Sequence, residues 1–318
     1  MSDSAISGWL SAEVRCPDGH GRLSVGDRRL SCSTCGIEAS ITGGIPRFVE
    51  QRHLASFGRQ WNRYEVIRDD EDRRVFRVKT GIDPSELAGL RVLDAGCGGG
   101  RYSRVAAIAG ATVIGADHSE AVEKARAVCD GLDRAAFVQA DLKRLPLAPA
   151  SFDVVFSIGV MHHDADTRRV FDSVAGMVAP GGRLAVWLYR RNTRWQEWLN
   201  NRLRARTTRL PPEHLERWCR LAARLGGIPL LNRTLNKFVN FSAHPDAEIR
   251  RCDTFDWYAP AYQHHHRLEE LCEWFEAAGF EDLQALPPEK TGRVYRWAYD
   301  RNLIVGSGVN VLGRRVRE

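Results

Sequence analysis

Between residues 90 and 190, short apolar runs alternate with longer stretches in which apolar residues recur every three or four positions. Val92-Leu93, Ala111–Ala116, Ala136–Ala140, Phe152–Ser157 and Arg183–Tyr189 are short and nearly continuously apolar, the mark of strands buried on both faces. Between them Tyr102–Ala109, then Val122, Ala125 and Val128, then Val170, Phe171, Val174, Met177 and Val178 keep helical spacing. Ser119 is placed to cap the second of these helices. Strand and helix in alternation predict an α/β fold, a Rossmann-like parallel sheet with helices on both faces.

On either side the rhythm changes. Arg190–Arg250 breaks the alternation and reads as a helical cap insertion with three amphipathic patterns. Trp195, Trp198, Leu199 and Leu203 share one face of the first. The second opens at Pro211-Pro212-Glu213, turns Leu215, Trp218, Ala222 and Leu225 inward and stops at Gly226-Gly227. The third carries Leu230, Leu231, Leu235, Phe238 and Val239. These apolar stripes predict that the cap packs on the carboxyl ends of the strands. Beyond it, Leu268, Leu271, Cys272 and Phe275 define a helix stopped by Gly279. Glu281–Leu286 and Val294–Val305 are expected to be the last two strands, and Arg314–Glu318 a frayed tail.

Upstream, Asp83-Pro84 reads as a helix N-cap with proline opening the turn. Before it, Phe57-Gly58-Arg59-Gln60-Trp61-Asn62-Arg63-Tyr64 is an aromatic phrase suited either to folding over a pocket or to stapling the prefix to the sheet. The prefix itself sets Cys16-Pro17-Asp18-Gly19-His20 and Cys32-Ser33-Thr34-Cys35-Gly36 around an alternating Arg22–Leu30, predicting two knuckles and a hairpin. Three thiolates and an imidazole, Cys16, His20, Cys32 and Cys35, suit a structural zinc site; a metal-free, packed knuckle is the other reading. The expected division is 1–50, 51–88, 89–189, 190–250 and 251–318.

Composition narrows the class. At 318 residues the chain can bury a large core, no run approaches 18 apolar residues, and Met1–Leu10 lacks the apolar core of a signal peptide. Eight scattered cysteines suit reduced thiols and a cytoplasmic protein. The chain carries a net charge of +6, but Arg190–Arg250 alone holds 13 Lys/Arg against 5 Asp/Glu, net +8. That cap suits a solvated basic surface, an anionic acceptor, an anionic membrane face or nucleic acid, though no RNA-binding signature accompanies it.

The chemistry concentrates at Val92-Leu93-Asp94-Ala95-Gly96-Cys97-Gly98-Gly99-Gly100-Arg101. A strand, a glycine-rich turn and a helix N-terminus form a nucleotide cradle. A dinucleotide fingerprint would need glycine where Arg101 stands. The phrase D-x-G-x-G-x-G instead resembles the first motif of class I S-adenosylmethionine-dependent methyltransferases. Asp117 closing the next strand, Asp141 closing the third, Phe152–His163 and Pro180-Gly181-Gly182 resemble the later motifs of that family, over roughly residues 90–190. The resemblance implies a seven-stranded sheet ending in an antiparallel pair. It also implies S-adenosyl-L-methionine as cofactor, contacted by Asp94, Gly96, Gly98, Gly100, Asp117, His118, Asp141, Leu142 and Ser157. Many members carry a zinc-ribbon-like prefix ending in a phrase like Gly44-Ile45-Pro46-Arg47-Phe48; here the second cysteine of the first knuckle is replaced by Gly19.

Methyl transfer needs alignment first, and a base only if the acceptor keeps its proton until attack. His163, at the edge of the fourth strand, and His265, in Trp257–His266, are the candidate bases, with Tyr258 or Tyr262 lining the acceptor pocket. The adjacent histidines 264–266 are poorly placed to share one ion. The expected function is methylation of a small molecule such as a natural-product or glycan precursor. An RNA methyltransferase and a non-catalytic cofactor-binding scaffold are the alternatives, and the oligomeric state is not encoded in any motif.

Overall fold

Alternating burial sets the centre of the molecule. In β5 (Arg91–Ala95), Val92 joins one apolar layer with Phe76, Val105, Val113 and Phe156. Leu93 and Ala95 join the opposite layer with Ile114, Val138, Val155 and Phe171. Successive strand side chains point to opposite faces, so helices must cover both. The structure, a computed structural model, describes residues 8–49, 67–191, 193–228, 244–287 and 308–317, with positions 231, 232, 242, 293, 297 and 301 between them. The aromatic phrase Phe57–Tyr64 and most of the third expected cap helix lie outside the described residues.

The parallel strands β7 (Ala135–Gln139), β6 (Thr112–Asp117), β5, β8 (Phe152–Ile158) and β9 (Val178–Tyr189) lie side by side in that order. β11 (Gly308–Arg315) pairs antiparallel with β9, and β10 (Phe280–Ala285) antiparallel with β11, completing the seven expected strands. The sheet does not stop there. β4 (Ile45–Arg47) adds to β7 with Arg47 opposite Gln139, and brings β3 (Glu38–Thr42), β2 (Arg29–Ser31) and β1 (Ser24–Val25) behind it. The result is eleven strands rather than seven. Arg47 fixes the join: its buried guanidinium donates to Gln139 Oε1 at 2.8 Å and Glu123 Oε1 at 2.6 Å. A charge-assisted bond to a buried partner is worth about 1.5–3 kcal/mol.

The C-terminal strand corrects the expectation. It runs over Gly308–Arg315, not Val294–Val305, of which Trp297 and Arg301 are described and neither is in a strand. Val309 and Val311 carry the burial that the earlier apolar residues were expected to supply. Arg314 and Arg315, expected in a frayed tail, are the last residues of that strand.

Around the sheet pack α2 (Asp69–Thr80), α3 (Arg101–Ile108), α4 (Ala121–Val128), α5 (Thr167–Ala175) and α9 (Leu268–Ala277), while α1 (Gly8–Glu13) opens the described chain. Phe76 of α2 meets Phe156 of β8 edge-on with ring centroids 5.1 Å apart. Asp83 and Glu86 form a reciprocal capping box around the turn at Pro84–Leu87, as expected of the Asp-Pro step. The cap comprises α6 (Arg194–Thr207) and α7 (Pro212–Gly226), both packed on α8 (Ala247–Tyr258). In α7 Leu215 and Ala222 are buried as expected, together with Cys219, while Trp218 and Leu225 are half-buried.

The first cap helix is turned over relative to expectation. Trp195 and Trp198 stand 48% and 58% exposed, while Gln196, Asn200, Arg204 and Thr207 are buried. The reason is hydrogen bonding. Arg204 donates to the carbonyls of Trp257 and Pro260, Thr207 Oγ1 to Tyr258 O at 3.0 Å, and Asn200 Nδ2 to Gln263 Oε1 at 3.2 Å. Carbonyls buried under the helix demand donors, and leaving one unmet costs about 1–3 kcal/mol. Periodicity reported the helix correctly but not which side the chain needed inside.

Candidate active site

The neighbours of β5 are β6 on one side and β8 on the other, so its connections leave in opposite directions and open a crevice at the strand carboxyl ends. The glycine-rich turn lies there. Gly96, Gly98 and Gly100 have φ of 91°, 49° and 83°, conformations that L side chains rarely adopt. Two of them also lack room: a Cβ on Gly96 would overlap the Val160 side chain, and one on Gly100 would lie 2.6 Å from Ala125 Cα.

The acids are fixed around this turn. Asp94 is 3% exposed and accepts from Ser103 Oγ at 2.6 Å; burial, helped by the Asp117 charge, pushes its carboxyl up to about 7. Asp117 accepts from Gly98 N–H at 2.9 Å on one oxygen and from Ser119 N–H and Oγ at 2.8 and 2.7 Å on the other. It therefore ties the turn to β6, and these bonds leave one lone pair, on Oδ2, for a ligand. Asp141, two residues beyond β7, accepts from Lys143 N–H at 2.9 Å, and Leu142 beside it is buried. His118 gives its carbonyl to Gln139 Nε2 at 3.0 Å, and burial pulls its imidazole below its ordinary range. Ser157 is 1% exposed and donates to Ala95 O at 2.7 Å, bracing two strand tips. The Cys97 thiol is buried and held well above its ordinary range, so this cysteine is no nucleophile. A cradle whose glycines leave backbone accessible and whose carboxylates are pre-aligned fits a nucleoside with vicinal hydroxyls.

Across the crevice lies a second cluster. His162 is wholly buried and stacked on Tyr189, ring centroids 3.9 Å apart, and burial keeps it neutral. Its Nδ1 accepts from Tyr189 N–H at 3.4 Å, so this histidine belongs to the wall. His163 and His265 flank the same tyrosine at 5.7 and 5.9 Å. His163 Nδ1 donates to Tyr262 O at 3.1 Å, and its Nε2 lies 3.8 Å from Asp256 Oδ2. His265 Nδ1 meets Glu197 Oε2 at 2.6 Å, which fixes the tautomer with a lone pair on Nε2. Burial raises the Tyr189 hydroxyl well above its ordinary range, and it donates to Asp256 at 3.2 Å.

Three members of this cluster were not singled out from the sequence. Glu197 could have been, as a rare acid in the first turn of an arginine-rich helix. Tyr189 and Asp256 carry no local signal; only the fold brings them together. Tyr258 departs from its expected role. It is 0% exposed, its ring 4.8 Å from Trp218 in the contact between α7 and α8, because the helix turns it away from the crevice. Tyr262 is half exposed and contributes its carbonyl.

The N-terminal knuckles converge as well. The donor atoms of Cys16, His20, Cys32 and Cys35 all lie within 4.8 Å of one another. Gly19 and Gly21, with φ of 79° and 86°, make the tight turn that brings His20 Nδ1 to 3.4 Å from Cys16 Sγ. Cys16 and Cys35 Sγ are 3.6 Å apart. The extra residue in this knuckle is thus absorbed by glycine.

A family model described as a methyltransferase domain matches residues 93–186, the span from β5 to β9. The chain is 40% identical over 114 residues to the ubiquinone biosynthesis O-methyltransferase of Rhizobium etli, covering 33% of this chain and 45% of that protein. With the protein of the same name from Marinobacter nauticus it shares 32% over 153 residues, 45% of this chain and 64% of that one. The chain thus spans less than two thirds of the length of these relatives. Among solved structures, an S-adenosylmethionine-dependent methyltransferase from Mesorhizobium loti matches 72% of this chain and 93% of its own, at 22% identity and a TM-score of 0.43. Residues 93–186 of this chain are thus a methyltransferase domain, and the motifs within it resemble those of the class I S-adenosylmethionine-dependent methyltransferases.

Proposed function

We propose that the protein transfers a methyl group to a hydroxyl of a small molecule held between the glycine-rich turn and the Tyr189 cluster. The observation that carries this reading is the juxtaposition of His265, paired with Glu197, and the buried Tyr189 at the same strand ends as the cradle. Bound S-adenosyl-L-methionine would supply an electrophilic methyl on a positively charged sulfur. Asp117 would accept a ribose hydroxyl, Asp141 and Leu142 would hold the adenine, and the backbone of Gly96–Gly100 would line the remainder. His265 would take the acceptor proton at Nε2 while Glu197 stabilises the imidazolium. Residues 194–266, which build this wall, mostly lie outside the matched span 93–186. The acceptor of the relatives is therefore not carried over, even though their names specify an oxygen.

The test is transfer of labelled methyl to a small-molecule extract, with RNA as a parallel acceptor. Label in the small-molecule fraction supports the reading; label only in RNA, or none despite cofactor binding, replaces it with one of the alternatives. Asp117→Ala separates binding from catalysis. Loss of a hydrogen bond to a charged group, about 1.5–3 kcal/mol, should weaken cofactor binding on the order of 10- to 100-fold by calorimetry. Unchanged affinity would refute the ribose assignment.

We further propose that the prefix holds structural zinc. A tetrahedral site with Zn–S near 2.3 Å and Zn–N near 2.0 Å requires donor separations of about 3.5–3.8 Å. Cys16, His20 and Cys35 are spaced at 3.4 and 3.6 Å. Purified protein should contain about one zinc per chain, and Cys32→Ser should lose it. Stoichiometry near zero in reduced wild-type protein would leave a packed, metal-free knuckle.

A further inference from the structure

The inverted cap helix presents an outer face that the proposed reaction does not use. Trp195, Trp198, Arg202 and Arg206 of α6, with Arg209 in the turn that follows, are all exposed. Their spacing places them within about 80° of arc on one side of the helix. Arg202 lies over the Trp198 ring at 5.1 Å. The orientation is not slack, because the opposite side is tied by Arg204 and Thr207 to the 257–260 carbonyls. In α7, Arg217, Arg220 and Arg224 are likewise exposed, with Leu221 56% exposed and Ile228 beyond it 50%. Among described residues 193–228, Glu213 is the only exposed acid.

We propose that the outer face of α6 docks on an anionic lipid bilayer surface. Charge complementarity selects the headgroups: arginines near a negatively charged leaflet are attracted within a Debye length. The tryptophans select a bilayer over other polyanions. Indole rings settle at the headgroup level, and an amphipathic helix that lies in the interface combines such rings with a basic face. The indole rings also supply apolar area for which a phosphate backbone offers no partner. Arg202 already occupies one face of Trp198, which leaves less of that ring for stacking on a base. Attachment is peripheral, since no described helix is long and apolar enough to cross a membrane. The buried side of the same helix carries Glu197 to His265, so docking would bring the acceptor wall to within one helix diameter of the lipid.

Co-sedimentation of the full chain with vesicles tests this. Wild-type protein should pellet with equimolar phosphatidylcholine and phosphatidylglycerol, not with phosphatidylcholine alone, and less so as salt rises. The triple variant Arg202→Glu, Arg206→Glu, Arg209→Glu should reduce partitioning at least about 10-fold. Trp195→Ser with Trp198→Ser should reduce the binding that survives at high salt. Cofactor affinity and circular dichroism of both variants should match wild type, which separates lost docking from lost folding. No pelleting with anionic vesicles at low salt overturns the proposal, as does pelleting indifferent to both sets of changes. Preferential binding of single-stranded RNA through the same arginines would also overturn it.

Discussion

Replacing His265 by alanine is expected to lower turnover about 10²–10⁴-fold on the identified acceptor while leaving cofactor affinity within a few-fold. The expectation rests on its place: Nδ1 is committed to Glu197 at 2.6 Å, so Nε2 keeps the lone pair that a base needs. Glu197→Gln should reproduce part of the loss, because it keeps the contact but removes the charge that stabilises the imidazolium. His163→Ala should cost less. Its Nε2 is enclosed beside Asp256, where it can orient the Tyr189 cluster more readily than receive a proton from an acceptor. Near-normal turnover in both alanine variants, measured in single-turnover kinetics, would mean that the protein works by positioning alone.

Asp94→Asn is expected to stabilise the cofactor-free protein at pH 8 and to weaken cofactor binding. Burial pushes the Asp94 carboxyl up to about 7, against about 3.9 in an unfolded chain. Between those values the folded chain keeps a proton that the unfolded chain has released. Stability therefore falls as pH rises through this window and levels off above it. The full shift corresponds to about 4 kcal/mol, an upper bound because buried sites relax and admit water. Asparagine keeps an oxygen for Ser103 and carries no charge to bury. In urea unfolding at pH 5 and pH 8, the variant should lose part of the wild-type decline between the two. Calorimetry at pH 8 should show cofactor affinity down by at least about 10-fold, since the cofactor is a cation and the variant removes the negative charge beneath the glycine-rich turn. A variant less stable than wild type at pH 8, with an unaltered pH dependence, would reject the account.

Both predictions show where sequence reasoning reaches and where it stops. The cradle was legible because its demands are local: a positive φ needs glycine at 96, 98 and 100, and an acid must stand at or near the end of each of three strands. The parallel strands were legible because burial on both faces leaves continuous apolar runs. The wall opposite was not. Tyr189, Asp256 and Glu197 lie on three separate elements, and no spacing announces that they meet. The turned-over first cap helix failed for a related reason: the rule that places tryptophans inside ignores the carbonyls of Trp257, Tyr258 and Pro260, which had to be answered by Arg204 and Thr207. The last strand escapes a reading by pattern because Val309–Leu312 is a short, mostly apolar run between glycines, less conspicuous than the aromatic Val294–Val305, and it is this short run that pairs with β9.

The join between β4 and β7 has a consequence for solubility. In a seven-strand sheet β7 would be an outer strand, with unpaired amides and carbonyls ready to recruit another chain. Here Arg47 and Phe48 occupy that side, Phe48 N–H donating to Gln139 O at 2.8 Å, and the row of strands then shortens to the two residues of β1. The prefix thus acts as an end-stop against edge-to-edge aggregation. A knuckle that loses its grip would release a template for it, in a chain whose cofactor cradle is still intact.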